Sequence, residues 1–132
     1  MKSYLYSYFF YVMMLGSGVQ KIKNRMDKTM KKILFASAEC APFVKTGGLG
    51  AVVGSLPKQL NHKKYDVRVV LPNYHCIDAK WREQMETVVT FPMYLGWRMQ
   101  TVTVKTLSYE GIVYYFIEND FYFCGDSPYY DM

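Results

Sequence analysis

Two strand patterns, separated by a glycine-rich loop and a helix pattern, constrain the fold of this chain most. Residues 33–37 (ILFAS) form a continuous apolar run that is typical of a buried parallel strand. Residues 66–71 (DVRVVL) form a second strand pattern, which Pro72 closes. Because a helix pattern lies between them, the order strand, helix, strand predicts a βαβ unit and a parallel sheet.

The helix pattern repeats apolar residues at the spacing of one helix face. The residues concerned are Leu49, Val52, Val53, Leu56 and Leu60. Proline inside a helix lacks an N–H and crowds the preceding turn, so Pro57 predicts a kink or weakened last turns. We expect the helix to end near residues 61–64.

The remainder of the chain is rich in strand-forming residues. Three segments fit strands: residues 87–93, 99–107 and 112–117. A turn at residues 109–111 (YEG) predicts a hairpin between the last two. A parallel start followed by a hairpin predicts an α/β fold, with a doubly wound parallel sheet and a β-hairpin insertion.

The formal net charge of +5 does not indicate a nucleic-acid surface, because the charge is concentrated in one segment. Residues 1–29 hold five basic side chains and one acidic side chain, whereas the rest of the chain holds 11 basic and 10 acidic side chains. The body is nearly neutral, and we predict no nucleic-acid partner. A length of 132 residues and an apolar content of 51% suit one domain with a buried core.

The cysteines do not form a metal or disulfide pattern. Cys40, Cys76 and Cys124 are widely spaced and include no CxxC pair, and His62 and His75 do not complete a ligand set. We therefore predict no metal. Three scattered cysteines fit a reducing cytosol better than a disulfide-stapled secreted domain.

The N-terminal segment contains an apolar run, residues 4–15, of the length of a signal-peptide core. A secretory signal is one interpretation, although no small-residue cleavage site follows, and an interfacial anchor is another. We favour a third, in which translation begins at Met26 or Met30 and residues 1–29 are an extension upstream of the true start. Residues 30–132 are then a cytoplasmic domain without a membrane partner.

The loop between the first strand and the helix, residues 45–50 (KTGGLG), carries the candidate chemistry. Ligands of open α/β sheets bind at the carboxyl ends of the strands. Glycines there let a ligand approach the backbone, the following helix presents free N–H groups to an anion, and Lys45 adds a positive charge. The pattern predicts a site for a phosphate-bearing or sugar ligand. The alternative is a tight turn with a solvated lysine.

Two known glycine-rich motifs do not fit this loop. A P-loop requires lysine after its last glycine, whereas Lys45 precedes the glycines. A dinucleotide fingerprint requires glycine or alanine where this chain has Val53, and an acidic residue where the second strand ends in residues 70–72 (VLP). A nicotinamide-dependent oxidoreductase is therefore disfavoured, and we predict no cofactor.

Several segments resemble bacterial and plant glycogen and starch synthases. Residues 30–43 (MKKILFASAECAPF) are similar to the start of that family, and residues 45–49 (KTGGL) match its donor-binding motif. Further similar segments are residues 52–57 (VVGSLP), 66–72 (DVRVVLP), 115–119 (YFIEN) and 122–123 (YF). The resemblance runs from Met30 nearly to the last residue.

The resemblance implies the GT-B fold, in which two Rossmann-like domains face each other across a cleft, and residues 30–132 would be part of the N-terminal catalytic domain. It implies transfer of glucose from ADP-glucose, with retention, to the nonreducing end of an α-1,4-glucan. By the same resemblance Lys45, Gly47 and Gly48 bind ADP-glucose, and the catalytic residues lie in a C-terminal part of the enzyme outside these residues. The family usually has aspartate where this chain has Ala51.

Two alternatives stay open. The chain is either a non-catalytic remnant that binds sugar nucleotide or glucan, or part of a transferase of the same architecture that uses another sugar nucleotide. We expect the 132-residue chain alone to be inactive.

Five further side chains are secondary candidates. Glu39 would touch a sugar hydroxyl or make a structural hydrogen bond. His75 would line the cleft or pack in a loop. Trp81, Trp97 and Tyr94 would stack on glucan rings, or pack in the core or at the surface.

Overall fold

The computed structural model describes residues 30–61, 64–125 and 127–129, so the interpretation of residues 1–29 lies outside it. The described residues form seven elements in chain order: β1 (Lys31–Ala36), α1 (Gly48–Leu60), β2 (Tyr65–Pro72), α2 (Ala79–Arg82), β3 (Glu86–Leu95), β4 (Arg98–Tyr109) and β5 (Ile112–Glu118). Each strand predicted from the sequence is present, with bounds shifted by at most two residues.

The strands form one five-stranded sheet in the order β1, β2, β5, β4, β3. β1 and β5 both run parallel to β2, with Phe35 opposite Val69 and Val69 opposite Tyr114. β4 runs antiparallel to both β5 and β3. The predicted parallel sheet with a hairpin is confirmed, and the hairpin expected between the last two strands is β4–β5. A second hairpin, β3–β4, lies between the parallel strands β2 and β5 in the sequence and was not predicted.

The antiparallel connections are tight turns with positive backbone φ angles. Between β4 and β5, Glu110 and Gly111 have φ angles of 47° and 79°, the pattern of a type I′ turn. The turn predicted at residues 109–111 is thus confirmed. Between β3 and β4, Gly96 has a φ angle of 63° in a second tight turn, which was not predicted.

Alternating side chains of β2 divide the core between the two faces of the sheet. Val67, Val69 and Leu71 pack on the face that also holds Val53 of α1. Val70 points to the opposite face, where a second cluster contains side chains of β3, β4 and β5. Both faces of the central strands therefore carry buried side chains.

Phe43 packs the loop after β1 into the core cluster that contains Val53 of α1. Its ring contacts Tyr114, Phe116 and Trp81 edge-on, at centroid distances of 4.8, 5.0 and 5.1 Å. Edge-to-face aromatic pairs stabilise a core beyond the area they bury. The loop is thus anchored over the centre of the sheet, and Trp81 is a packing residue.

β1 is less buried than its sequence predicts. Ile33, Leu34 and Phe35 are only partly buried. Among the described strands β1 pairs with β2 alone and forms one edge of the sheet. The prediction of a buried strand is therefore wrong for this edge position, although the strand itself is confirmed.

The apolar spacing identified α1 but not the side on which it packs. Val53 is buried, whereas Leu49, Val52 and Leu56 remain 49%, 55% and 37% exposed. The buried side of the helix consists largely of small residues instead. Apolar periodicity alone therefore predicted the wrong packed face.

Two glycines let α1 lie directly against the loop after β1. A Cβ atom at Gly54 would lie 2.8 Å from both the Cβ and the carbonyl oxygen of Ala41, and one at Gly50 would lie 2.9 Å from a Glu39 carboxylate oxygen. The Ala41 N–H also donates to the Gly50 carbonyl oxygen at 2.9 Å. Backbone contact with the loop thus sets the orientation of α1.

Pro57 lies inside α1 without ending it. Because proline has no N–H, the Val53 carbonyl oxygen loses its helical partner. The Cys40 thiol donates to that oxygen at 3.4 Å. Burial raises the pKa of Cys40 to about 12, which keeps the thiol protonated as a donor. The helix continues to Leu60, where the Asn61 N–H bonds to the Pro57 carbonyl oxygen.

Candidate functional site

A pair of backbone hydrogen bonds closes the loop after β1. The Cys40 N–H donates to the Val44 carbonyl oxygen, and the Val44 N–H donates to the Cys40 carbonyl oxygen, both at 3.0 Å. Both residues are buried. Lys45 follows this bridge directly and is exposed, in the loop that connects β1 to α1.

The carboxylate of Glu39 holds the next part of the loop. Its Oε1 accepts a hydrogen bond from the Thr46 hydroxyl at 2.6 Å, and its Oε2 accepts one from the Thr46 N–H at 2.7 Å. The Gly47 N–H donates to the same Oε2 at 3.3 Å. Since Glu39 is 2% exposed, the structural hydrogen bond is the better supported of the two roles expected for it.

These contacts lower the pKa of Glu39 from 4.5 to about 2. The hydrogen bond from the Thr46 hydroxyl contributes most, followed by one from Tyr129 and by the Thr46 N–H, while burial opposes them. The carboxylate is therefore ionised at neutral pH. An ionised carboxylate only accepts hydrogen bonds, which matches the donors that surround it.

The N-terminus of α1 is open at Gly47 and Gly48. Gly47 is the N-cap residue and supplies no side-chain cap, and the first turn contains no acidic residue. Both glycines are exposed, and a Cβ at either would meet no described atom within 4 Å. The first N–H groups of a helix have no helical partner and carry a partial positive charge. The tip therefore offers hydrogen-bond donors to an anion.

Lys45 lies beside this tip. A Cβ at Gly50, in the first turn of α1, would lie 3.1 Å from both the Cα and the Cβ of Lys45. Lys45 takes part in none of the ion pairs formed within the described ranges. Lys45, Gly47 and Gly48, the predicted donor-binding residues, thus lie together at one end of one helix. This arrangement can bind a phosphate-bearing ligand.

The secondary candidates are distributed more widely. His75 follows β2, and its Nε2 lies 3.9 Å from an Asp120 oxygen. Trp97 and Tyr94 lie on the β3–β4 hairpin, where they are 84% and 68% exposed. Ala51 is exposed in α1 and supplies no carboxylate there.

Comparison with family models places the chain among known proteins. The model described as the starch synthase catalytic domain matches residues 32–132. This chain belongs to the starch synthase catalytic-domain family. Among curated proteins, the glycogen synthase of Lachnoclostridium phytofermentans is 55% identical to this chain over 100 residues, and that of Oceanobacillus iheyensis is 50% identical over 105 residues.

A solved structure of the family agrees with the fold. The catalytic domain of starch synthase IV from Arabidopsis thaliana, bound to ADP and acarbose, is 26% identical to this chain, with a TM-score of 0.66. That match covers 80% of this chain and 22% of the Arabidopsis chain. The predicted family and the partial Rossmann-like α/β architecture are thereby confirmed.

This chain spans only part of the length of its starch and glycogen synthase relatives. The Lachnoclostridium and Oceanobacillus matches cover 76% and 77% of this chain, but 21% and 22% of those relatives. The chain therefore spans about a fifth of the length of the curated relatives it matches. The activity of these relatives as whole enzymes can therefore only be proposed for this chain.

The described residues contain neither a cluster of metal-ligating side chains nor a membrane-spanning helix. Across residues 30–61, 64–125 and 127–129, no group of three or more His, Cys, Asp or Glu side chains is placed to hold a metal ion. No helix in these ranges has the length and apolarity needed to cross a membrane.

Proposed function

We propose that this chain forms part of the donor site of an ADP-glucose-dependent glucosyltransferase, which extends an α-1,4-glucan at its nonreducing end. The observation that carries the proposal is the open N-terminal tip of α1 with Lys45 beside it. Membership of the starch synthase catalytic-domain family supports it, as does the ADP bound to the Arabidopsis relative.

In this proposal the tip binds the diphosphate of ADP-glucose. Lys45 supplies a positive charge, Gly48 supplies an N–H donor, and Gly47, whose N–H bonds to Glu39, lets the ligand approach the backbone closely. When the bond between glucose and ADP breaks, negative charge develops on the leaving diphosphate. Donors and a cation that are already in position stabilise this charge without reorganisation.

The proposal also assigns the other parts of the reaction. Residues 30–132 form part of the N-terminal domain of a GT-B enzyme, and residues 1–29 are an extension to it. The residues that act directly on the glucose belong to another part of the enzyme. Ala51 can neither hydrogen-bond a sugar hydroxyl nor carry charge, so contacts to the sugar come from elsewhere. The enzyme is cytoplasmic in this proposal and uses no cofactor.

Calorimetric titration of the purified chain tests the donor site. We expect ADP-glucose to bind more tightly than UDP-glucose. Lys45→Ala should weaken ADP-glucose binding about 10- to 100-fold, because a hydrogen bond to a charged group contributes about 1.5 to 3 kcal/mol. Lys80→Ala removes another exposed lysine, on α2, and should leave the affinity unchanged. Unchanged affinity in the Lys45→Ala chain would remove Lys45 from the site.

A transfer assay distinguishes a binding module from an enzyme. The chain is incubated with ADP-glucose and a maltooligosaccharide, and the length of the oligosaccharide is followed. We expect donor binding without extension by these 132 residues. Extension by the purified chain would contradict the assignment of the glucose-directed residues to another part of the enzyme.

A further inference from the structure

We propose that Glu39 is a positioning residue of the donor site, whose carboxylate fixes the backbone from Lys45 to Gly48 in the conformation that receives the diphosphate. The inference rests on the proposed function and deepens it. The donor-binding motif accounts for Lys45 and the glycines, but not for Glu39. Three features of the described residues support the role.

The first feature is the fixation of Lys45 on both sides. Val44, before it, is held by the paired backbone hydrogen bonds to Cys40. Thr46, after it, is held by two hydrogen bonds to Glu39, at 2.6 and 2.7 Å. The backbone of Lys45 therefore has little freedom, while its exposed side chain can reach a ligand.

The second feature is the space that Gly50 leaves for the carboxylate. A Cβ at Gly50 would lie 2.9 Å from Glu39 Oε2 and 3.1 Å from the backbone of Lys45. Glu39, Lys45 and Gly50 thus form one packed unit beneath the tip. A side chain at position 50 would displace the carboxylate or the lysine, so the glycine serves the loop rather than the ligand.

The third feature is the division of the N–H groups. Glu39 accepts from the N–H groups of Thr46 and Gly47, which precede the first turn of α1. The N–H groups of Gly48 and Leu49 belong to the first turn, in which N–H groups have no hydrogen-bond partner within the helix. Glu39 therefore supports the tip from the protein side and leaves the first-turn donors to the ligand.

The Glu39→Gln substitution removes the negative charge of the side chain and keeps its size. The donors converge on both carboxylate oxygens, and a glutamine amide has only one oxygen and an NH2 group. With its oxygen in the position of Oε2, the amide still accepts from the Thr46 and Gly47 N–H groups, and the Thr46 hydroxyl can turn to accept from the NH2 group. Glu39→Gln should therefore weaken these contacts, because hydrogen bonds to a charged acceptor become hydrogen bonds to a neutral amide of the same size.

The test combines donor affinity with amide exchange in the purified 132-residue chain. We expect Glu39→Gln to weaken ADP-glucose binding about tenfold and to accelerate hydrogen exchange at the Thr46 and Gly47 amides. Thr46→Val, which removes only the hydroxyl donor, should weaken binding about threefold, and Thr46→Ser should restore it.

Asp78→Asn is the matched control. Asp78 also accepts a backbone N–H at the start of a helix, from Lys80 at 3.0 Å, but it lies at α2. We expect this variant to keep the donor affinity and the exchange rates of Thr46 and Gly47. An equal loss of affinity in Asp78→Asn and Glu39→Gln would overturn the positioning role, because it would reflect a general loss of stability.

The two readouts separate this inference from the proposed function. If the unsubstituted chain does not bind ADP-glucose, the proposed donor site is contradicted. The amide exchange rates at Thr46 and Gly47 can be measured without ADP-glucose, and they test whether Glu39 fixes the loop. Rates unaltered by Glu39→Gln would overturn the positioning role. If the chain binds ADP-glucose, an unaltered affinity in Glu39→Gln would equally overturn the positioning role.

Discussion

The β1–α1–β2 end of the sheet and the β3–β4 hairpin differ in what brings their parts together. At the first end, α1 approaches a loop through Gly50 and Gly54, and a buried carboxylate organises the loop. In the hairpin, side chains alternate between the two faces, and Val102 and Val104 are buried against β5 and β3. Close packing at the first end depends on glycines, which have no side chain and let the helix approach the loop. Close packing in the hairpin depends on buried apolar side chains.

The largest expected effect lies where α1 touches the loop. Gly54→Val adds a branched side chain where a Cβ would lie 2.8 Å from Ala41. Overpacking costs about 1 to 3 kcal/mol, and we expect about 3 kcal/mol in urea unfolding because the obstructing atoms include backbone. Gly48→Ala is the control, since its Cβ would meet no described atom within 4 Å. Similar losses in both variants would contradict the close approach.

A somewhat smaller loss is expected in the hairpin. Val102 is 1% exposed, and Val102→Ala deletes buried methyl groups, so we expect a loss of about 2 kcal/mol in the free energy of unfolding. Thr101→Ala removes an exposed neighbour and should change stability by less than about 0.5 kcal/mol. If Val102→Ala and Thr101→Ala unfold at the same urea concentration, burial of Val102 does not stabilise the hairpin.

The smallest effect on stability is expected from Glu39, and it should depend on pH. The pKa of Glu39 is lowered from 4.5 to about 2, so its ionised form stabilises the fold fully above pH 4.5, and this contribution is lost as the pH falls through 2. Glu39→Gln should cost about 1 to 2 kcal/mol at neutral pH. Urea unfolding of the unsubstituted chain and of Glu39→Gln should show that the difference in their free energies of unfolding is smaller in acid than at neutral pH. The same difference at both pH values would argue against a stabilising contribution from the ionised Glu39 carboxylate.

Local patterns predicted the elements well. The strand pattern of residues 66–71 and the residues of the turn after β4 are features of short segments, and the structure agrees with both. The orientation of α1 was not predictable in this way, because it depends on how closely Gly54 approaches Ala41 across the fold. The exposure of β1 likewise depends on its position at the edge of the sheet.

The candidate site was predictable only in part. Lys45, Gly47 and Gly48 are consecutive or nearly so, and their position between a strand and a helix already suggested an anion site. The contact between Glu39 and Thr46 could not be derived from spacing, because an irregular loop has no fixed period. The bridge between Cys40 and Val44, together with the packing of Phe43, sets the path that brings the two together.

In the proposed donor site the tip of α1, and not the exposed hairpin, receives the donor. ADP-glucose can be titrated into the ¹⁵N-labelled chain while the backbone amide resonances are followed. We expect the largest shifts at Gly47, Gly48 and Leu49, with little change at Gly96 in the hairpin turn. Saturation by ADP-glucose with unshifted resonances at the tip, or with the largest shifts at Gly96, would contradict the proposed donor site.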